Sequence, residues 1–329
     1  MICVSCDASL EDTPATCPTC GSDPRLDGRY RLERRIGRGA NGTVYQAIDQ
    51  ETGAAIAVKE LPLRHDLDPK QQELFRREAA ILQQLSHPAI PRALGQVIAG
   101  RGKARALYLL QALVPGRTLS AEMDAHRYTE AEVIAIVIEV VEILRYLHGL
   151  SPPVIHRDIK PSNLMRRPDR RLVLIDFGTV RDAIRDPALG GSTVAGTFGY
   201  MAPEQFSGEA GPATDYYGLG VTALALLARR DPATLFDRTG QLNWSDAIQA
   251  SAKMRRLLSG LLEPDPDRRI TTPGAVSDAL AEHSPPVPQP QPAGLRASDV
   301  MGGLLIIALP LILSLPIGLI MIYQLITGN

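Results

Sequence analysis

Apolar and polar positions alternate from Tyr30-Arg31-Leu32 into a glycine-rich stretch, Ile36-Gly37-Arg38-Gly39-Ala40-Asn41-Gly42-Thr43-Val44. A period of two predicts a half-buried strand. Thr43-Val44-Tyr45-Gln46-Ala47 continues strand-like, Glu51-Thr52-Gly53 supplies a turn, and Ile56-Ala57-Val58-Lys59 gives a further strand. The period then changes. Leu74, Ile81, Leu82 and Leu85 can share one apolar face of an amphipathic helix from Gln72 to Leu85, before Leu107-Tyr108-Leu109-Leu110 returns to strand. From Glu130 to Gly149, Val133, Ile136, Val137, Val140, Val141, Leu144 and Leu147 mark the buried face of a long helix. A short apolar run, Leu172 to Ile175, follows, and Asp215 opens the helical run DYYGLGVTALALLA. That run reads as core, because it is short and interrupted by Gly218 and Gly220.

The pattern breaks down at both ends. Residues 284–300 begin with a proline-rich spacer, Ser284 to Pro292, expected to be extended at roughly 3.1 Å per residue. A ligand for a proline-recognising domain is the other reading of the same residues. No charged side chain occurs from Val300 onward, and Gly302 to Tyr323 is 22 residues. As a helix that stretch would be about 33 Å long at 1.5 Å per residue, enough for one bilayer crossing over residues 301–326. Pro310 and Pro316 are tolerable there, whereas a hairpin would leave each half too short to span. Only Arg296 flanks the segment, so charge barely sets its orientation.

Composition adds two constraints. The 329 residues carry a net charge of −1, without the basic excess of a nucleic-acid binder. All four cysteines fall in the first twenty residues, which argues for a reducing compartment. The start, MICVSCDASLEDT, has no signal-peptide pattern. Cys3-x-x-Cys6 and Cys17-x-x-Cys20 are two knuckles ten residues apart, and such turns can complete a tetrahedral Cys₄ shell. The expectation is a zinc-ribbon-like module over residues 1–22, joined by a connector, 23–29; a redox dithiol is the alternative. A segment this small has too little core to fold alone, so a structural Zn²⁺ would supply its folding energy.

Candidate chemistry is concentrated between Val154 and Gly178. His156-Arg157-Asp158, Lys160 and Asn163 form an H-R-D-x-K-x-x-N string, and Asp176-Phe177-Gly178 follows the apolar run. Phosphoryl transfer needs a carboxylate to orient the attacking hydroxyl and hard oxygen ligands for Mg²⁺. Asp158 can meet the first need, Asn163 and Asp176 the second. In order and spacing these strings resemble the eukaryotic-like (Hanks-type) serine/threonine protein kinases of bacterial type. The glycine-rich stretch agrees: a dinucleotide-binding fold requires a helix after G-x-G-x-x-G, and here a strand follows.

The resemblance implies a bilobal α+β kinase fold over residues 30–283, ATP with Mg²⁺ (or Mn²⁺), and protein substrates phosphorylated on Ser or Thr. It implies that Ile36, Gly37, Gly39 and Gly42 cover the nucleotide, and that Val44, Ala57, Leu113 and Met165 line its base. Lys59 would hold the phosphates, positioned by Glu78, and Lys160 would stabilise the transferred group. Gln111 and Ala112 depart from the family at the hinge, as does Asn41 at the glycine-loop tip. The activation segment, Asp176 to Glu204, contains Ser192 and Thr193 as acceptors of regulatory phosphate. Thr197 is expected to contact Asp158 and Lys160, and Glu204 to pair with Arg269. The whole reads as a membrane-anchored kinase facing the cytosol, with two copies meeting for autophosphorylation. A pseudokinase scaffold is the alternative.

Overall fold

In the computed structural model, five antiparallel strands form the first half of the kinase-like region: β1 (Tyr30–Gly39), β2 (Gly42–Asp49), β3 (Ala55–Pro62), β4 (Ala93–Ala99) and β5 (Ala106–Ala112). The structure describes residues 1–39, 42–62, 80–100, 105–177, 181–182 and 197–281. Glu78, Ser192, Thr193, most of the helix read from Gln72, the proline-rich spacer and the apolar tail lie outside them. Among the described residues no helix is long and apolar enough to cross a membrane.

Strand order is β1-β2-β3-β5-β4. Side chains alternate between the faces of a strand, and β5 shows what each face meets. Leu107 and Leu109 point into the main core with Ile81, Leu82 and Leu85, around the helical residues 80–84 (α1). Ala106, Tyr108 and Leu110 join Leu32, Tyr45, Ala47, Ile56 and Val58 in a second cluster on the outer face. Ile2 and Leu26 complete that outer cluster. The cysteine segment, read from sequence as a unit of its own, therefore shares the core of the sheet. Ile2 pairs with Leu32 on β1, its N–H donating to the Leu32 carbonyl at 2.7 Å.

The second half is helical, with α2 (Leu119–Met123), α3 (Glu130–His148), α4 (Pro203–Phe206), α5 (Pro212–Ala228), α6 (Ala252–Leu261) and α7 (Pro273–Leu280). Thr129 and Glu132 close a capping box at the start of α3, satisfying amides that would otherwise lack partners. The apolar face of α3 is buried as the spacing predicts, with Ile143 added. Helix α5 is buried along nearly its whole length. A Cβ at Gly218 would lie 3.1 Å from the Ile159 carbonyl, so this glycine lets α5 pack against the backbone of the loop after β7 (Val154–Ile155). Short strands β6 (Arg117–Thr118), β8 (Leu164–Arg166) and β9 (Leu172–Leu174) form a small sheet, and β10 (Arg181–Asp182) pairs with β7.

Candidate functional site

The β8–β9 hairpin brings the two stretches of candidate chemistry together. Its register sets Leu164 opposite Leu174, so the next residues outward, Asn163 and Ile175, face each other, and Ile175 N–H donates to the Asn163 carbonyl at 2.8 Å. Asp176 follows at once. It has φ +63°, and Arg157 has φ +69°. Left-handed backbone in residues other than glycine costs free energy and concentrates at functional sites.

Asp158 is buried at the centre. Asn163 Nδ2 donates to its Oδ2 at 2.9 Å and to its carbonyl at 2.8 Å. Lys160 Nζ lies 2.7 Å from the same Oδ2, and Thr197 Oγ1 donates to Oδ1 at 2.9 Å. Lys160 also donates to Thr197 Oγ1. One carboxylate, one ammonium, one amide and one hydroxyl are thus locked together. Because Asn163 Nδ2 donates to Asp158, its side-chain Oδ1 is the oxygen it could offer to a metal ion. Across the cleft, buried Lys59 on β3 lies 2.6 Å from Asp176 Oδ1.

Below this cluster Asp215, in the first turn of α5, fixes the loop backbone. Its carboxylate accepts from the His156 amide at 2.9 Å and the Arg157 amide at 2.7 Å, and sits 2.8 Å from His148 Nε2. Burial works against ionising Asp215, but the bond and charge of His148 and the amide donors hold its carboxyl below the usual range. Burial pushes His156 the other way from charging, holding the imidazole below its ordinary value. Neutral His156 accepts from the Asp158 amide at its Nδ1 (3.3 Å) and packs edge-on to Phe177.

The end of the activation segment is tied down twice. Arg269 makes two bonds to Glu204, at 2.6 and 3.0 Å, with its guanidinium over the Tyr217 ring. Gln205 accepts from the Ala202 amide and donates to the Arg157 carbonyl at 3.1 Å. Sequence reasoning missed Gln205 and His148; nothing in local spacing marks either.

The positions expected to face the nucleotide lie on β1–β3, at the hinge and, for Met165, on β8. Gly37 pairs with Val44, Val44 with Lys59, and Ala57 with Gln111. Ile36 is exposed, and Val44, Ala57, Leu113 and Met165 are half-buried. Gly39 pairs with Gly42 where β1 turns into β2. Gly42 is required as glycine: with φ +114°, a Cβ would lie 2.0 Å from the Glu60 carbonyl. At the hinge, the Ala112 N–H is already given to the Arg92 carbonyl at 2.9 Å.

The four cysteines form a second site. Their sulfurs lie within 4.8 Å of one another, with Cys3–Cys20 at 3.8 Å and Cys6–Cys17 at 3.7 Å. A tetrahedron with Zn–S bonds of about 2.3 Å has edges of about 3.8 Å, whereas a disulfide would need about 2.05 Å. The donor set therefore fits a closed tetrahedral metal shell. Burial pushes the Cys3 thiol up to about 12; for Cys17, burial is outweighed by hydrogen bonds from the Cys20 and Thr19 backbone, and the thiol falls to about 6.

The cleft between the two halves gathers a lysine, a carboxylate in left-handed backbone and a carboxylate–lysine–hydroxyl cluster, the groups that phosphoryl transfer calls for. The protein kinase domain family matches residues 30–281, and the chain belongs to that family. It is 36% identical over 284 residues to serine/threonine-protein kinase B of Synechocystis, covering 80% of this chain and 48% of the relative. Similarity extends to serine/threonine-protein kinase PknA of Nostoc (33% identical; 81% of this chain, 50% of the relative) and PknA of Mycobacterium tuberculosis (30%; 83% and 66%). The chain thus spans about half the length of its cyanobacterial relatives.

Proposed function

We propose that this chain is an ATP-dependent protein kinase that phosphorylates serine or threonine hydroxyls of proteins. The observation that carries the reading is the cluster of Asp158, Lys160, Asn163 and Thr197, bonded to one another beside Asp176. When bound with ATP, Mg²⁺ would supply positive charge that offsets the charge of the phosphates. Asn163 and Asp176 would hold that ion through hard oxygens. Asp158 orients the acceptor hydroxyl, and Lys160 supplies positive charge where charge grows in the transition state. Lys59 holds the phosphates once it leaves Asp176, with Glu78 as its positioning partner. Gly37, Gly39 and Gly42 let backbone lie over the phosphates. Ile36, Val44, Ala57 and Met165 line the base, and Leu113 offers the hinge bond, since the Ala112 amide is engaged.

The finer reading has three parts. The cysteine cluster holds one structural Zn²⁺, supported by sulfur spacings that match a tetrahedral edge. The tail over residues 301–326 anchors the chain in a membrane with the kinase region in the cytosol. Two anchored copies phosphorylate one another on Ser192 or Thr193, where phosphate would pair with Arg157 in bidentate geometry. Labelled ATP-Mg²⁺ with a generic protein acceptor tests the activity, and metal analysis of the purified chain tests the zinc.

A further inference from the structure

The cysteine segment lies against the strand that carries half of the glycine loop. Among the described residues, strand β1 is an edge strand of the sheet, paired with β2. Its other side meets the cysteine segment at three points. Arg31 Nη1 donates to Thr13 Oγ1 at 3.2 Å, Leu32 accepts from the Ile2 amide at 2.7 Å, and Arg35 pairs with Asp7. Directly beyond Arg35 come Ile36, Gly37 and Gly39.

Contacts continue inward from there. The Arg35 guanidinium lies 5.9 Å from the Tyr45 ring centre on β2, and Tyr45 Oη donates to Glu60 Oε2 at 2.9 Å. Glu60 also accepts from Tyr108 Oη at 3.1 Å and is next in sequence to Lys59. Beneath these polar links, Ile2 and Leu26 fill the outer face between Leu32, Tyr45, Val58 and Tyr108. Magnitudes rank the contacts. The Asp7–Arg35 pair is exposed, and pairs in solvent contribute little. Burying a side chain the size of isoleucine contributes more than an exposed ion pair, so Ile2 and Leu26 carry most of the coupling.

We propose that metal in the Cys3–Cys6–Cys17–Cys20 shell sets how tightly the small lobe holds ATP, through the docking of Ile2 and its neighbours along β1. This rests on the zinc reading above. The cysteine segment has no cross-link other than its four sulfurs, and a segment of that size keeps its fold only while they are joined. Without metal, Ile2 leaves its seat, β1 loses one of its two flanks, and the glycine loop and Lys59 lose their fixed spacing. The Asp158 cluster is built on the helical half and keeps its geometry. The expected signature is therefore weakened nucleotide binding with nearly unchanged turnover at saturation. Partial unfolding would do the reverse, lowering turnover and leaving KM alone.

The test measures zinc per chain, equilibrium affinity for a fluorescent ATP analogue with Mg²⁺, and KM and kcat for ATP with a generic protein acceptor. Each is taken on the full chain as purified, after zinc stripping and desalting, and after Zn²⁺ is returned. Stripping should weaken nucleotide binding about fivefold or more, the lower end of ordinary coupling between sites, and Zn²⁺ should restore it. Ile2→Asp, which keeps all four sulfurs, should retain one zinc yet show the same loss, and stripping it should add little, as for two steps on one path. One zinc per chain with unchanged ATP affinity after stripping, or in Ile2→Asp, overturns the coupling and leaves the zinc reading standing. A chain produced and purified with zinc present that holds none overturns both. If the stripped chain does not fold, Ile2→Asp alone decides.

Discussion

Lys59 Nζ lies 2.6 Å from Asp176 Oδ1, so the amine proposed for the phosphates and the carboxylate proposed for the metal are bonded across the cleft. Lys59 is buried and Asp176 is held in left-handed backbone, so neither reaches this pairing through a flexible surface side chain. ATP-Mg²⁺ would have to separate them, one toward phosphate and the other toward the ion. Asp176→Asn keeps the shape and removes the charge. It should cut phosphoryl transfer by about a hundredfold or more with an unchanged circular dichroism spectrum, and it should raise the Mg²⁺ concentration needed for half-maximal rate in the same assay. Wild-type rates with ordinary Mg²⁺ dependence would remove Asp176 from the site.

Asp215 sets a second expectation. Its buried carboxylate accepts from two loop amides, so Asp215→Ala strands both donors. Each buried unsatisfied donor costs about 1–3 kcal/mol. Urea denaturation should show a stability loss of about 2–6 kcal/mol, with activity falling because Asp158 hangs on the loosened loop. A midpoint unchanged from wild type would mean that α5 does not anchor the loop.

Stability should also depend on pH through His156. Its folded value is depressed by burial, so below the ordinary value of about 6.5 the unfolded chain binds the proton more readily than the folded one. The contribution is present above that value and is lost as pH falls toward the folded one. Denaturation midpoints measured from pH 7.5 down to 5.5 should decline, and His156→Tyr, which keeps a ring beside Phe177, should flatten the decline. Parallel slopes for the two proteins would assign the effect elsewhere.

Much of the site was legible because it is local. Asp158, Lys160 and Asn163 sit within six residues, and a short hairpin returns the chain to Asp176, so spacing alone gathers them. The period of two in β1–β3 and the apolar face of α3 were legible for the same reason. Gln205 and His148 were not, since each acts on backbone or a carboxylate far away in sequence. The place of the cysteine segment was also hidden. It depends on Ile2 and Leu26, two lone apolar residues with no period, which find a face of the sheet that alternation shows to be apolar without naming its cover.

The proposed anchor makes a prediction about rate. If two copies phosphorylate one another, residues 1–299 should autophosphorylate more slowly when dilute than the full chain in vesicles, because membrane confinement raises effective concentration. Raising protein concentration should restore the rate, with phosphate mapped to Ser192 or Thr193. A rate per molecule independent of dilution would show reaction within one molecule.

Asp158 is the carboxylate that Lys160, Asn163 and Thr197 all touch. The most direct measurement is phosphoryl transfer from labelled ATP-Mg²⁺ to a generic protein acceptor, comparing wild type with Asp158→Ala at matched fold. Wild type should place label on serine or threonine, and the variant should lose that labelling by orders of magnitude. Equal labelling by the two proteins, or none by either, would contradict the kinase reading.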